Sequence, residues 1–500
     1  MAARLVVLIA VIGLVVMGIA RGTWAVGGSD SSCYALMAES FARGTLQPTT
    51  PLASEAPWPD AQRTFAPGGF IPSPVRRDAA SPICAPGFSL LLAPLRAIGG
   101  ANAIFVLTPL AGALLVWSTF LLARHLGGPL AGAGAALVVA TMPVLLFQVV
   151  QPMNDVTVAA LWTLAVVIAA RWPVRVLALG AVTGLAVLVR PNLAPLVAPV
   201  VMWIVWTSPH RLRATGRFAL GATPFVATMM FLNQQLYGHP LASGYGAGAD
   251  LFSVSHVVPN ARNYVHALFT TQLGFPLVAL AAPFVVPAAH RPIAWLILAL
   301  GAAIDGVYLL YTPFEEWWYL RFFLPVLPSV TALGVVVIAR PWGARGLVPV
   351  VGALVAFMLT TPATAQALDL WRLEQRFRLA GRVMREQLPP TSAFVTVWES
   401  GSAKYHAGRE ALLWDSLDPA WLDRALGWLS ARGLHPVIVV EEWEEPRFRQ
   451  RFAAQSQYGG LDWPPRFDID HQVRIFDPED RARYLAGDAL HTEIVWPNRR

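Results

Sequence analysis

About eleven apolar runs, most of them near 20 residues long, constrain the fold of this chain more than any other feature. A run of ~20 apolar residues crosses the hydrocarbon core as one helix, because lipid offers a backbone amide no partner outside its own segment. The runs fall at about 5–23, 102–123, 130–149, 154–170, 176–190, 192–207, 218–236, 266–287, 293–311, 321–339 and 346–364. The composition agrees. The 500 residues are 55% hydrophobic and 13% charged, against roughly a quarter charged in soluble chains. The first run begins after Arg4 and is followed by no small-x-small site in a polar stretch, so it reads as a retained anchor. The expected fold class is an α-helical polytopic membrane protein of about 11 transmembrane helices.

The net charge of +7 does not point to nucleic acid, because the basic residues sit mostly in short loops where they set orientation. Arg124 and His125, Arg171 and Arg175, then Arg211, Arg213 and Arg217, then Arg291, then Arg340 and Arg345 occupy alternate loops. All fall on one side if the N-terminus is cytoplasmic. The first loop, the turn at Gln151–Asp155, the segments 237–265 and 312–320, and everything after about 365 then face outward. Trp24, Trp317 and Trp318 fit an interfacial aromatic belt on that face. These features predict a multi-pass membrane protein whose N-terminus is cytoplasmic. Residues 1–364 form a transmembrane module with a first outer loop at about 24–101, and 365–500 form a soluble extracytoplasmic domain.

That tail changes character. An amphipathic helix is expected over 366–388, with Leu368, Trp371, Phe377 and Val383 among arginines. Strands are expected at Ala393–Trp398, Ala411–Trp414 and Pro436–Val440, and helices at Pro419–Ser430 and Glu444–Phe452. Strands alternating with helices predict a small α/β module. Neither a glycine-rich phosphate loop nor metal-ligand spacing appears in it. Cys33 and Cys84, the only cysteines, both lie in the first loop. In an oxidising compartment they pair; two free thiols fit the sequence equally well.

Four outward-facing features are candidates for one site. Asp30 follows the first span, with Tyr34 on the same face of a helix. Asp155 opens the fourth span, where a carboxylate also serves as a helix-terminal charge. Arg190 ends the fifth span and Arg321 enters the tenth, both against the cytoplasmic arginine pattern. An arginine near hydrocarbon costs ~3 kcal/mol unless it snorkels or pairs. A phosphate is one suitable partner, since guanidinium forks match its oxygens. Asp155 is another partner for Arg190, and Glu316 or Glu315 for Arg321. Asp305 lies inside the ninth span, where a carboxylate is a functional candidate by default. His239 and His256 read as ordinary loop residues.

At these residues the chain resembles the GT-C superfamily of integral-membrane glycosyltransferases. It is similar in particular to bacterial relatives of protein mannosyltransferases and to the lipid A aminoarabinose transferase. SDSSCYALMAESFARGTL resembles the family's first-loop segment, and SPICAPGFSLLLAPLRAIGG its second loop element. PMNDVTVAALWTLAV and GLAVLVRPNLAPL resemble the fourth- and fifth-span signatures, and WWYLRFFLPVLP the late arginine segment. The resemblance covers about the first 340 residues and leaves out the tail.

The resemblance implies an inverting transfer of a sugar from a polyprenyl-phosphate donor to an envelope glycan, lipid or protein acceptor. Asp30 would deprotonate the acceptor hydroxyl and Asp155 would help hold acceptor or sugar. Tyr34 and Glu316 would line the substrate site. Arg190 and Arg321 would offset the charge of the leaving phosphate. Many members carry two adjacent acidic residues in the first loop. Here Ser31 follows Asp30, which argues against a metal-assisted variant, and no cofactor is expected. The rival is a transporter or flippase of a lipid-linked substrate, which predicts paired halves and charges at the midplane. The sequence shows no repeat and one such charge, Asp305.

Overall fold

The computed structural model describes residues 1–246 and 251–497. Residues 247–250, inside the loop expected over 237–265, lie outside the described residues. The chain forms two compact units. One comprises Met1–Gly22, Phe105–Phe231 and Gly246–Leu370; the other comprises Thr23–Ile104, Leu232–Tyr245 and Trp371–Arg500.

The first unit is helical. Among the described residues five helices are long and apolar enough to cross a membrane: Ala2–Ala20, Ala101–Ala140, Asn154–Arg171, Ala288–Tyr308 and Leu327–Thr360. Leu5, Ile9, Ile12 and Val16 of the first are exposed, as lipid-facing side chains are. The Leu107–Ala140 helix is broken at Gly128 (φ 89°, ψ 178°) and Leu327–Thr360 at Gly343 (φ 54°, ψ −147°). Gly132 lies against Phe120 and Arg124, so the two arms about Gly128 fold back on each other. The breaks fall inside the polar gaps between the spans expected at about 102–123 and 130–149, and at about 321–339 and 346–364.

One expected span needs correction. The single helix predicted over about 266–287 is instead two helical stretches, Val254–Gln272 and Phe275–Val285, bent by 102°. Leu273 (φ 52°) and Gly274 (φ 64°) are both left-handed there, and two such residues in succession end a right-handed helix. The apolar pattern continues through them, so hydropathy alone shows no break. Val176–Val189 and Pro191–Thr207 are apolar but shorter than the five spanning helices.

The second unit holds the first loop and the tail together. Its strands are β1 (Phe70–Pro72), β2 (Ala80–Pro82), β3 (Ser392–Val395), β4 (Glu410–Leu412), β5 (His435–Glu441), β6 (Phe467–Ile469), β7 (Val473–Phe476) and β8 (Glu493–Val495). β1 and β2 pair antiparallel, and the other six form a mixed sheet in the order β4-β3-β5-β7-β6-β8. β3 is parallel to β4 and β5, and β7 is antiparallel to β5 and β6. Side chains along β5 alternate between two buried layers. Ile438 and Val440 join Trp414, Phe448 and Phe452, whereas Val437 and Val439 join Leu379, Val383 and Ile475. A strand buried on both faces needs this unbroken apolar run.

Trp58 and Phe65, from the first loop, belong to the first of those layers. The loop is therefore part of a core, which is why so long a connection is ordered. Its helix Gly28–Ala42 packs on Pro86–Gly99, with Tyr34 edge-on to Phe88 at 5.1 Å and the Ser89 hydroxyl donating to the Tyr34 carbonyl at 3.0 Å. Cys33 and Cys84 are joined as a disulfide, closing 51 residues of chain.

Loop closure of that size is worth about 4 kcal/mol in the chain-entropy account. Replacing both cysteines by serine should lower the unfolding midpoint accordingly, and unreduced peptide mass spectra should contain the cross-linked pair. An unchanged midpoint with no linked peptide would count against the bridge.

Candidate active site

The first unit gathers three of the residues singled out in the sequence. Asp155 occupies the first turn of Asn154–Arg171, and Arg190 ends Val176–Val189. Asn154 donates to the Val189 carbonyl at 3.3 Å, which ties the two helix ends together. The Arg190 guanidinium then donates to Asp155 Oδ1 at 2.6 Å, and Arg321 Nη1 lies 3.9 Å from Oδ2. Asp155 is 1% exposed. One carboxylate thus faces two guanidiniums, and these three groups sum to one positive charge.

Aromatic rings frame the pair. Phe322 and Tyr308 stack at 4.4 Å with planes 1° apart. The Arg190 guanidinium lies over both rings at 5.4 and 5.8 Å. Arg321 lies over Tyr319 and Phe322 at 5.3 and 5.5 Å. Asn192 donates to the Tyr308 hydroxyl at 3.0 Å. Cation–π contact in a desolvated setting adds roughly 2 kcal/mol per contact and holds each guanidinium plane. Tyr308, Phe322 and Asn192 were not legible as site residues, because each is apolar or neutral in a run of similar residues. The only available signal was the aromatic density of Trp317–Phe323.

Glu316 and Asp305 stand differently. Glu316 is exposed at the start of the short helix Trp317–Phe323, and Asp305 is exposed on Arg291–Tyr308. Trp318 stacks on Phe147 at 5.4 Å, and Trp317 donates to Gln366 at 2.8 Å.

The second unit carries Asp30 in the first turn of Gly28–Ala42, half-buried. A carboxylate at that position is favoured by the helix dipole. The chain leading into the helix is held from the tail. The Val26 amide donates to His406 Nε2 at 2.9 Å, Phe377 packs on Gly27, and Gly401 lies against Ser32. Burial first, then Arg378 and Arg385, lowers the His406 pKa to about 3, so the ring is neutral and free to accept. Gly69 (φ 87°) crosses Ser29; a Cβ there would lie 2.2 Å from the Ser29 carbonyl oxygen. Only glycine meets both conditions.

Below this segment lies an acidic cluster that sequence reasoning missed. Glu399, Glu441 and Glu444 are at most 3% exposed. Arg376 donates to Glu441 at 2.8 Å, and the amides of Glu441 and Trp398 donate to Glu444 at 3.0 and 3.2 Å. Burial raises the Glu399 pKa well above 4.5, Glu441 adds to the rise, and Arg376 and Ser402 offset part of it. Burial also takes Glu444 up to about 7. His435, Asp477 and Glu479 form a further cluster, with ligand-type atoms within 4.8 Å. Arg466 meets Asp477 there at 2.7 Å, so a guanidinium already balances that carboxylate.

No family model and no curated protein matches the sequence. Solved structures do match. ArnT from Cupriavidus metallidurans bound to undecaprenyl phosphate is 13% identical, with TM-score 0.60 over 89% of this chain and 95% of that one. The same protein in the apo state gives 14% and 0.59. The archaeal oligosaccharyltransferase AglB from Archaeoglobus fulgidus, in complex with an inhibitory peptide and a dolichol-phosphate, is 13% identical, with TM-score 0.58 over 92% and 71%.

Two predictions follow from the buried charges. Asp155→Ala removes the carboxylate that both guanidiniums share and should destabilise by roughly 3–5 kcal/mol. Adding Arg190→Met should recover part of that loss, and a strictly additive double-mutant cycle would deny the pairing. Glu399 holds its proton more tightly folded than unfolded, so its stabilising contribution is full below about pH 4.5 and fades as pH rises through the folded pKa. Glu399→Gln should therefore raise the unfolding midpoint near pH 8 and leave it little changed near pH 4.5. Equal shifts at both would refute a protonated Glu399. On its helices and these matches, the chain is a multi-pass membrane protein that shares the fold of ArnT and of AglB.

Proposed function

We propose that the chain transfers a sugar from a polyprenyl-phosphate donor to an extracytoplasmic hydroxyl acceptor, with inversion. The observation that carries this reading is the arginine pair sharing one buried carboxylate, Asp155, in a fold also found in a protein crystallised with undecaprenyl phosphate. A donor of this kind leaves as a lipid phosphate, and the charge it acquires is the costliest part of the transition state. The planar forks of Arg190 and Arg321 suit phosphate oxygens.

Asp30 is assigned as the base. In the proposed step the acceptor oxygen attacks the anomeric carbon, the bond from that carbon to the phosphate oxygen breaks, and the acceptor proton passes to the Asp30 carboxylate. The electron pair leaves with the lipid phosphate. Tyr34, one turn along the helix, is assigned to substrate binding. Its ring is already fixed by Phe88, so its contribution is positional. Asp155 is given the task of orienting the two arginines, and Glu316, exposed at a helix start, a contact with the incoming substrate. The proposed setting is a bacterial cytoplasmic membrane, with the tail outside the cytosol where a Cys33–Cys84 disulfide persists. The proposed chemistry uses no metal.

Asp30→Asn should leave the protein inserted and folded while reducing transfer from a polyprenyl-phosphate sugar by at least about 10³-fold, in the range of general-base removal. Arg321→Ala should mainly raise the KM for the lipid-linked donor. Radiolabelled sugar transfer in reconstituted vesicles reads both. Full transfer by Asp30→Asn would remove it from the mechanism, and an unaltered donor dependence in Arg321→Ala would remove the phosphate role.

A further inference from the structure

Three of the contacts that bracket Asp30 trace back to one turn of the tail, residues 399–402. The Ser400 hydroxyl accepts from the Gly68 amide at 2.9 Å, and Gly68 leads into the Gly69 that crosses Ser29. Gly401 lies so close to Ser32 that a Cβ there would meet the Ser32 hydroxyl at 1.8 Å. The Ser402 hydroxyl donates to the Phe377 carbonyl, and the Phe377 ring packs on Gly27, the residue before the helix Gly28–Ala42. Residues 27, 29 and 32 are thereby held from outside, with Asp30 between them.

The root of that turn carries a group that the proposed chemistry does not use. Glu399 is fully buried, and neither of its carboxyl oxygens has a hydrogen-bond partner among the described residues. A carboxylate ion is not stable in such a place without a donor or counter-ion, so the group is held neutral. The charged groups that face it are Glu441 at the end of β5, Glu444 three residues beyond, and Arg376 from Pro362–Glu386. Arg376 is already engaged. It donates to Glu441 through Nε at 2.8 Å and to the Leu373 carbonyl through Nη1 at 2.7 Å, and Nη1 lies 3.9 Å from Glu374. Its guanidinium also lies over the Phe377 ring at 4.2 Å. Ser402 is the other group placed to offset a charge on Glu399, and its hydroxyl is given to Phe377. The two groups that an ionised Glu399 would recruit are thus the two that hold Phe377, one at its ring and one at its carbonyl.

We propose that Glu399 is a positioning residue for Asp30: its neutral carboxyl leaves Ser402 and Arg376 to hold Phe377 against Gly27, and its ionisation draws them away and loosens the start of the Asp30 helix. Burial raises the Glu399 pKa, so the hold is complete at low pH and is released as pH rises through the folded value. This coupling stands apart from any chemistry. Its consequence, a loss of sugar transfer on the alkaline side, rests on the reading of Asp30 as the base.

Hydrogen–deuterium exchange of the full chain in nanodiscs tests the coupling without a substrate. It is read by mass spectrometry between pH 6 and pH 9 and corrected for the chemical exchange rate of unstructured amides. The Val26 and Gly68 amides, which donate to His406 and Ser400, report on the hold. In wild type their corrected exchange should rise by about tenfold for each pH unit above the folded pKa of Glu399. Glu399→Gln, neutral throughout and nearly the same shape, should keep both at their pH 6 rate. The helix Asn154–Arg171 of the first unit should stay flat in both proteins. A flat wild-type profile overturns the proposal even where the variant does not fold, and so does an equal rise in wild type and variant. Radiolabelled transfer over the same range then separates the two readings. Transfer lost at pH 9 by wild type and kept by Glu399→Gln supports both. Transfer that wild type keeps at pH 9 while its exchange rises overturns the positioning role. The expected exchange pattern with no transfer by either protein removes the transfer reading and leaves the hold on the helix established.

Discussion

A guanidinium among hydrocarbon-facing helices must find an anion or leave for water, and that constraint organises the first unit. Arg190 ends one helix and Arg321 sits just ahead of another; both converge on Asp155 at the start of a third. The carboxylate benefits from its helix dipole, and the arginines benefit from rings stacked beside them. Three chain segments far apart in sequence are thereby pinned at one point. A buried ion pair seldom adds much net stability, since desolvation offsets the attraction.

The second unit solves a different problem, which is to hold the helix that carries Asp30. The Cys33–Cys84 bridge, the turn at Gly69 and the His406 acceptor all act within a few residues of Asp30. The tail's sheet provides the mass behind them, with Trp58 and Phe65 of the loop inside its core. The tail is therefore more than an appendage to the membrane module. Removing it would strip the Asp30 helix of its supports.

Much of the architecture was readable because its causes are local. Apolar runs of membrane length, the arginines between them, and the tail strands later found at Ser392–Val395 and His435–Glu441 all leave patterns within a short window. The antiparallel half of the sheet did not. β6 and β7 are three and four residues long and mix apolar with charged side chains, so only pairing makes them strands. The bend at Leu273–Gly274 was hidden for the opposite reason: the apolar pattern runs straight through it. Asp155, Arg190 and Arg321 were legible as charges out of place. Their meeting on one carboxylate was not.

By itself the sequence determined that the chain must live in a bilayer, because no aqueous fold can bury so many apolar runs, and it singled out charges whose placement carries a cost. Tertiary structure alone decided which of those charges meet, that Cys33 and Cys84 pair, and that Glu399 is sealed from water. The division is physical. Hydropathy and helix propensity act over neighbouring residues, whereas charge neutralisation, desolvation and cross-linking depend on distances that only the folded chain sets.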